Sequence, residues 1–341
     1  MSERLTDDLA RDEMLRDYAP TPEEALIDTR GRAHDPDAAS RPAIPLGKGD
    51  GLDKHTRVQL LVEERVIAAR YMSDPKKMRI YTVVTLTCFA AWLSFFPLTM
   101  LGIVPLWPCA IASCVFAAGG YITSHEAMHD NIGRRGTRYR FWNELVGEVS
   151  TIILIFPFSM ARMMHLHHHY HCNHPENDPD YTDEAPNKYA AWIKTWLNRQ
   201  PGADGSIHHY KRVLERIGTP GARKALKDTM FLQLFAMFFM FAMAWSGYAF
   251  EAALLWWLPR HLGLSYIRFW LSWAPHHPRD GRDRYSNTRV FSTWIGHHLS
   301  MGMQYHIVHH LYPGIPNHAT RAAYYELKPI LEKRGIDCSA L

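Results

Sequence analysis

Apolar residues in this chain gather into a few long runs, with charged and turn-rich segments between them. The run from Ile80 to Val104 (IYTVVTLTCFAAWLSFFPLTMLGIV) carries no charge and exceeds the roughly 20 apolar residues a helix needs to cross a bilayer. Pro105 to about Thr123 follows so closely that the two runs predict a helical hairpin. A third candidate extends from Met230 to about Tyr248, and a fourth from Phe250 to about Trp273. The fourth is interrupted by Pro259, Arg260 and His261. Ionisable groups in lipid are costly, so the interruption predicts a broken helix or an interfacial segment before a later span. Val146 to Met160 is apolar but short and contains Pro157, which predicts a surface-lying or re-entrant helix. Between Thr56 and Arg70, apolar residues at helical spacing against Arg and Glu predict an amphipathic helix ahead of the membrane. The expected fold is an all-α integral membrane protein with four transmembrane helices in two hairpins.

Met1 to Lys54 differs in kind: acids, Arg, Pro and Gly with no sustained apolar period read as a mobile polar tail. One catalytic domain is expected over residues 55–341. The mean hydropathy of −0.25 averages this tail and the polar loops with the apolar runs, and so conceals the spans. A net charge of +4 is too small to argue for nucleic acid, and its placement says more. Lys54, Arg57, Lys76, Lys77 and Arg79 precede the first span, and Arg134, Arg135, Arg138 and Arg140 follow the second. Lys211, Arg212, Arg223, Lys224 and Lys227, then Arg279, Arg282, Arg284 and Arg289, fall on the same side in a two-hairpin topology. Neither expected hairpin tip, Leu98 to Trp107 or Ser246 to Ala253, contains Lys or Arg. By the positive-inside rule, both termini and the polar cap are expected to be cytoplasmic. The opening residues have no basic segment followed by an apolar one, so no cleaved signal is expected. The five cysteines show neither a disulfide framework nor paired metal-type spacing.

The chemistry is concentrated in histidine. SHEAMHD places His125 and His129 four apart, on one face of a helix. In RMMHLHHHYHCNHPENDPD, His165, His168 and His169 sit at i, i+3 and i+4. QYHIVHHLYP repeats that spacing with His306, His309 and His310. One such cluster could be a solvated polar patch; the repetition argues for a built site. Eight imidazoles on three helices exceed what one four-coordinate zinc would use, so two metal ions are implied. Imidazole suits iron, copper, nickel and zinc alike, so ligand type does not select among them. His276, in WAPHHPRD, is a ninth candidate ligand. His167, His171 and His174 crowd the second cluster and read as exposed or supporting groups. Metal-bound imidazoles need an acceptor on the other ring nitrogen, and Asp130, Glu176, Asp178 and Asp180 lie close enough in sequence to supply one. Trp256, Trp257, Tyr266, Phe269, Trp270 and Trp273 read first as membrane-interface aromatics, and second as the lining of an apolar channel.

On SHEAMHD, RMMHLHHHYHCNHPENDPDY, SWAPHHPRDGRDRYSNTRV and QYHIVHHLYPGIP, in that order, the chain resembles the membrane fatty-acid-desaturase-like superfamily. Within it, the desaturase-type β-carotene hydroxylases are most similar. The resemblance covers roughly residues 80–327. It implies a four-helix transmembrane body with a cytoplasmic histidine-rich cap and a non-haem di-iron centre held by the nine histidines. It further implies two Fe2+ ions, O2 as co-substrate, and electrons from a ferredoxin-type or NAD(P)H-linked donor protein. The expected reaction is hydroxylation of the β-ionone ring of a carotenoid, with ketolase chemistry possible on the same scaffold. Acyl-lipid desaturases share these motifs, so acyl-lipid desaturation or hydroxylation is the competing expectation. Glu126 and Met128 in the first motif, and His167, His171 and His174 in the second, depart from the common pattern. A non-catalytic metal carrier is the alternative of another class; it would place ionisable groups face to face inside the spans, whereas these histidines lie outside them.

Overall fold

The computed structural model describes residues 51–200, 205–278 and 281–341. Most of the polar segment from Met1 to Lys54 lies outside the described residues. Among those described, every regular element is helical.

Helix α1 (Lys54–Ala69) starts at Asp53, whose carboxylate accepts the Thr56 amide at 3.0 Å. This N-cap satisfies one of the donors a helix start leaves unpaired. Helices α2 (Arg79–Met100) and α3 (Leu106–Met128) form the expected hairpin. The turn between them returns the chain, so the C-terminal end of α3 lies beside the start of α2, where Tyr81, Ala127 and Met128 share one cluster. Helix α4 (Arg140–Ile152) and α5 (Phe158–His171) replace the single surface-lying or re-entrant helix expected over 146–160. Pro157 is the N-cap residue of α5, where its missing N–H costs no hydrogen bond. A 3-10 turn (Pro179–Asp183), α6 (Lys188–Leu197) and α7 (Ser206–Ile217) form part of the cap. Gly218 then closes α7 in the left-handed conformation, and Thr219 caps α8 (Pro220–Trp245).

Among the described residues, three helices are long and apolar enough to cross a membrane: α2, α3 and α8, with 22, 23 and 26 residues. The fourth candidate is a helical run of mixed pitch. It comprises α9 (Ala249–Ala252), a π-helical stretch (Ala253–Trp257), α10 (Leu258–Ile267), a second π-helical stretch (Arg268–Trp273) and α11 (Ala274–His276). The break has an identifiable cause. Pro259 has no N–H to give the carbonyl four residues earlier, at Leu255; the Trp92 indole of α2 bonds that carbonyl instead, at 2.8 Å. Gly263 lets this run approach α3 closely, since a Cβ there would lie 2.9 Å from that of Ala117. Of the six aromatic residues singled out above, four pack into the interior around this run, whereas Trp257 is exposed and Tyr266 half-buried. Trp256, Phe269, Trp270 and Trp273 are buried, with Trp256 edge-on to Trp92 and Phe269 stacked on Trp192.

Helix α12 (Gly296–Leu299), a 3-10 turn (Met303–Tyr305), α13 (His306–Leu311) and α14 (Asn317–Lys333) complete the chain. Helices α1, α13 and α14 share a core built on Tyr312, Tyr324 and Leu327. At its centre the fully buried Glu64 of α1 accepts hydrogen bonds from Tyr285 and Tyr312, each at 3.0 Å, and pairs with Arg334. A buried carboxylate is tolerated only when paired and hydrogen-bonded in this way.

Candidate metal centre

The C-terminal end of α3, one face of α5, the last residue of the interrupted run and α13 converge on one point. His125 and His129 come from the first, His165, His168 and His169 from the second, His276 from the third, and His306, His309 and His310 from the fourth. Two groups of four donor atoms result, each within 4.8 Å of one another: His125, His129, His165 and His309 in one, and His168, Cys172, His276 and His310 in the other. His169 stands between them, its Nε2 3.0 Å from that of His309 and its ring stacked on His310 at 4.3 Å. His306 borders the second group, with its ring 5.1 Å from that of His276.

The nitrogens face one another in a way neutral imidazoles do not favour alone. The Nε2 atoms of His129 and His165 are 2.8 Å apart, those of His169 and His165 3.1 Å, and those of His168 and His276 3.2 Å. His125 Nε2, His306 Nδ1 and both nitrogens of His310 are buried without a hydrogen-bond partner. Converging lone pairs and orphaned buried nitrogens suit a shared cation. Metal–nitrogen bonds of roughly 2.1 Å at near-right angles would place neighbouring nitrogens at about these separations. The donor set therefore fits two metal ions.

Protonation supports ligation. Burial first, and neighbouring imidazoles second, hold His165, His169, His309 and His310 well below the ordinary imidazole range, so their lone pairs are free. At His168 burial is the largest influence and opposes charge, but Asp178 and Cys172 together outweigh it and raise the ring well above that range. Asp178 is fully buried and meets His168 Nδ1 at 2.8 Å. Its oxygens also accept the amides of Asn173 and Asp180, each at 2.8 Å. This fixes the tautomer and turns Nε2 toward the centre. His276 is oriented by the Asn287 carbonyl, 2.9 Å from its Nδ1.

The other three acids contact different partners. Asp130 lies at the end of the first motif with φ 58°, and its carboxylate pairs with Arg140 at 2.6 Å and with Arg162 of α5. It ties the first motif's helix to the second motif's helix. Asp180 accepts the Tyr210 hydroxyl at 2.8 Å, and Glu176 faces Arg216 on the surface. His167 and His171 pack ring to ring at 4.3 Å on another face of α5, and His174 Nδ1 accepts the Glu176 and Asn177 amides of the next turn.

Two residues at the centre escaped the spacing argument. Cys172, one position past α5, places its sulfur 3.3 Å from His276 Nδ1 and 4.0 Å from His168 Nε2. A lone cysteine carries no pattern, although its place directly after the second motif was a signal. Glu126, buried between the first two candidate ligands, accepts the Asn317 amide at 2.6 Å and the Asn131 side chain at 2.7 Å. It thereby anchors the start of α14 to the first motif.

A cavity of ≈ 340 Å³ opens against this centre, with His125, His165, His168 and His306 in its wall. Leu154, Phe156, Leu264, Ile267 and Leu271 make most of the remainder apolar. Its size and character match small-molecule sites. None of the six aromatics named above lines it.

The fatty acid desaturase family profile matches residues 101–340. Among curated proteins the chain is 25% identical over 206 residues to the sn-1 oleoyl-lipid 12-desaturase of Anabaena variabilis, covering 58% of this chain and 48% of that protein. It is 32% identical over 80 residues to the zeaxanthin 4-ketolase of Chlamydomonas reinhardtii, covering 23% of this chain and 17% of that protein. It is 31% identical over 108 residues to the beta-carotene ketolase of Haematococcus lacustris, covering 30% and 32%. These matches span about half the length of the first relative and less of the other two. With most of the chain inside the family profile, the protein belongs to the fatty acid desaturase family.

Proposed function

We propose that the protein is a multi-pass membrane di-iron oxygenase that uses O2 to attack an unactivated C–H bond of a long, membrane-dissolved substrate. The observation that carries this reading is the abutment of two four-donor groups on a largely apolar cavity. The nine histidines would hold two iron ions, which when bound supply the one-electron and O2 chemistry that side chains lack. The chain's own part is placement. Asp178 and the Asn287 carbonyl fix the rings of His168 and His276. Asp130, Arg162 and Arg140 lock the helices bearing the first two motifs, Glu126 ties the first motif to the start of α14, and Glu64 ties Tyr312, just past the third motif, to α1. The apolar cavity wall holds the substrate carbon beside the centre and excludes water. Whether an alcohol or an alkene leaves depends on which hydrogens face the metals. Electrons come from a separate ferredoxin-type or NAD(P)H-linked protein.

For topology we propose four crossings: α2, α3, α8 and the interrupted run, with the metal centre and both termini cytoplasmic. The lysines and arginines around the centre support this orientation.

The substrate considered first is the β-ionone ring of a carotenoid, supported by the four motifs and the similarity to two carotenoid ketolases. The second is an acyl lipid, supported by the longer match to an oleoyl-lipid desaturase. Expression in a host that accumulates β-carotene, with analysis of pigments and total fatty acids, separates them. Hydroxylated carotenoids that vanish in a His168→Ala control support the first. Altered acyl chains with unchanged pigments support the second. No change in either pool, from iron-loaded protein supplied with a reductase, would overturn both.

A further inference from the structure

The cavity beside the metal centre has a largely apolar surface, and the charged groups in its wall among the described residues are Arg199, Arg260, Arg268 and Lys211 against a single carboxylate, Asp180. Arg199, just past α6, and Arg260, in the interrupted run, both stand in its wall. Arg199 donates to the carbonyls of Thr195 and His261 and, at 2.6 Å, to Ser265 Oγ. Its Nε is buried without a partner. Arg260 donates to the Leu154 carbonyl at 3.2 Å and meets His261 Nε2 at 3.2 Å. With Nε2 accepting from Arg260, the proton of His261 sits on Nδ1, and that atom is also buried without a partner. Every acceptor around the two guanidiniums is neutral, and among the described residues neither forms an ion pair.

Comparison with Arg268 sharpens the point. It lines the same cavity and is more buried, but it pairs with Asp183 at 2.6 Å. Arg199 forms no such pair: burial first, then the neighbouring Arg268 and Arg260, outweigh the more distant Asp183 and draw its pKa down to about 9. Two cations beside a largely apolar surface without a directly paired counter-anion are costly to keep. Their cost is offset when a ligand brings the anion, and guanidinium forks match the paired oxygens of carboxylate and phosphate.

We propose that Arg199 and Arg260 form a head-group site for a long-chain ligand ending in a carboxylate or phosphate, whose apolar chain lies along the cavity toward the metals. This deepens the functional reading above and rests on it for the identity of the cavity as the substrate site. Of the two substrates named there, it favours the acyl class and limits it to chains with an anionic head.

The test is equilibrium binding to the full-length, iron-loaded protein in zwitterionic nanodiscs, kept anaerobic so that nothing turns over. Oleate, oleoyl lysophosphatidate, oleyl alcohol, β-carotene and inorganic phosphate compete against a fluorescent acyl probe. Both anionic chains should bind about tenfold or more tightly than the alcohol, as charge-assisted hydrogen bonds predict. Inorganic phosphate alone should not displace the probe. The Arg199→Gln/Arg260→Gln double variant should bring the ratio near one while leaving alcohol affinity intact. Equal binding of oleate and oleyl alcohol by the unaltered protein would overturn the proposal, even if the variant failed to fold. So would a preference that survives in a folded double variant, displacement by free phosphate, or β-carotene competing as well as oleate. A protein that selects anionic chains yet oxidises nothing would sink the catalytic reading and leave the head-group site standing.

Discussion

Asp178 carries more of the metal centre than any residue that is not itself a candidate ligand. It is fully buried, and its two oxygens serve His168 and the amides of Asn173 and Asp180. In Asp178→Asn, the amide oxygen can still accept from the ring or the backbone amides, but the charge that holds the His168 proton on Nδ1 is gone. Partners of this kind typically change metal affinity or activity about 10–100-fold. The expected result is a fall of that order in iron affinity, measured by titration with a competing chelator, with helical content retained. Asp180→Asn should leave iron affinity near that of the unaltered protein, because its carboxylate answers Tyr210. Nearly equal losses in the two variants would mean that sequence proximity, not the His168 contact, is what counts.

At the scale of elements, the centre depends on four helical segments holding their relative positions, and buried charge does much of the holding. Glu64 of α1 joins Tyr285, which follows His276, to Tyr312, which follows the third motif, and to Arg334 of the final turn. Removing one partner of a buried pair strands the other, at a cost of about 3–5 kcal/mol. Glu64→Gln should lower the unfolding temperature and loosen iron together. Glu64→Gln/Arg334→Met should recover much of the stability, since no charge is then stranded. Thermal unfolding with parallel iron analysis checks both outcomes.

The helical histidines also predict a pH response. His165, His169, His309 and His310 have folded-state pKa values below the ordinary value near 6.5. Between the two values the unfolded chain binds more protons than the folded one, so stability rises with pH there. Their contribution is complete above about pH 6.5 and is lost as pH falls below it. His168, raised by Asp178 and Cys172, works in the opposite direction: its contribution is present at low pH and lost as pH rises through its folded value. With His306 shifted like these four, the lowered rings outnumber the groups shifted the other way, His168, Asp180 and Glu148, so iron-free protein should melt at progressively lower temperature from about pH 6.5 downward. A melting temperature that is flat or rising on acidification would contradict this balance.

For the whole molecule, the arrangement of spans makes a topological prediction. Single cysteines introduced at Gly102, between α2 and α3, and at Gly247, between α8 and the interrupted run, should be labelled by an impermeant thiol reagent from outside intact cells. A cysteine at Gly335, after α14, should be labelled only after the membrane is opened. Reversed labelling would overturn the orientation, and an outside signal at Gly335 with Gly247 protected would overturn the four-crossing arrangement.

What was legible in the sequence follows from local physics. A span must be long and apolar because lipid offers its backbone no hydrogen bonds, so α2, α3 and α8 announce themselves by composition. Ligands carried on one helical turn must recur at i, i+3 and i+4, so the three histidine motifs announce themselves by spacing. His276 stood out beside its run because few imidazoles sit at the end of so apolar a stretch. Other features were settled only when distant segments met. In the first π-helical stretch a Trp92 indole reaches the Leu255 carbonyl across the bundle, a contact that no local pattern encodes. The choice of Asp178 over Glu176 and Asp180 as the partner of His168 was made by the turn after α5, since these three acids lie side by side in sequence, and Asp130 went to Arg140 and Arg162. Cys172, Glu126 and the uncompensated pair Arg199 and Arg260 gain their meaning from neighbours up to about a hundred residues away or more. Periodicity reports what one helix does with its own faces; which buried charge meets which partner is decided by packing between helices.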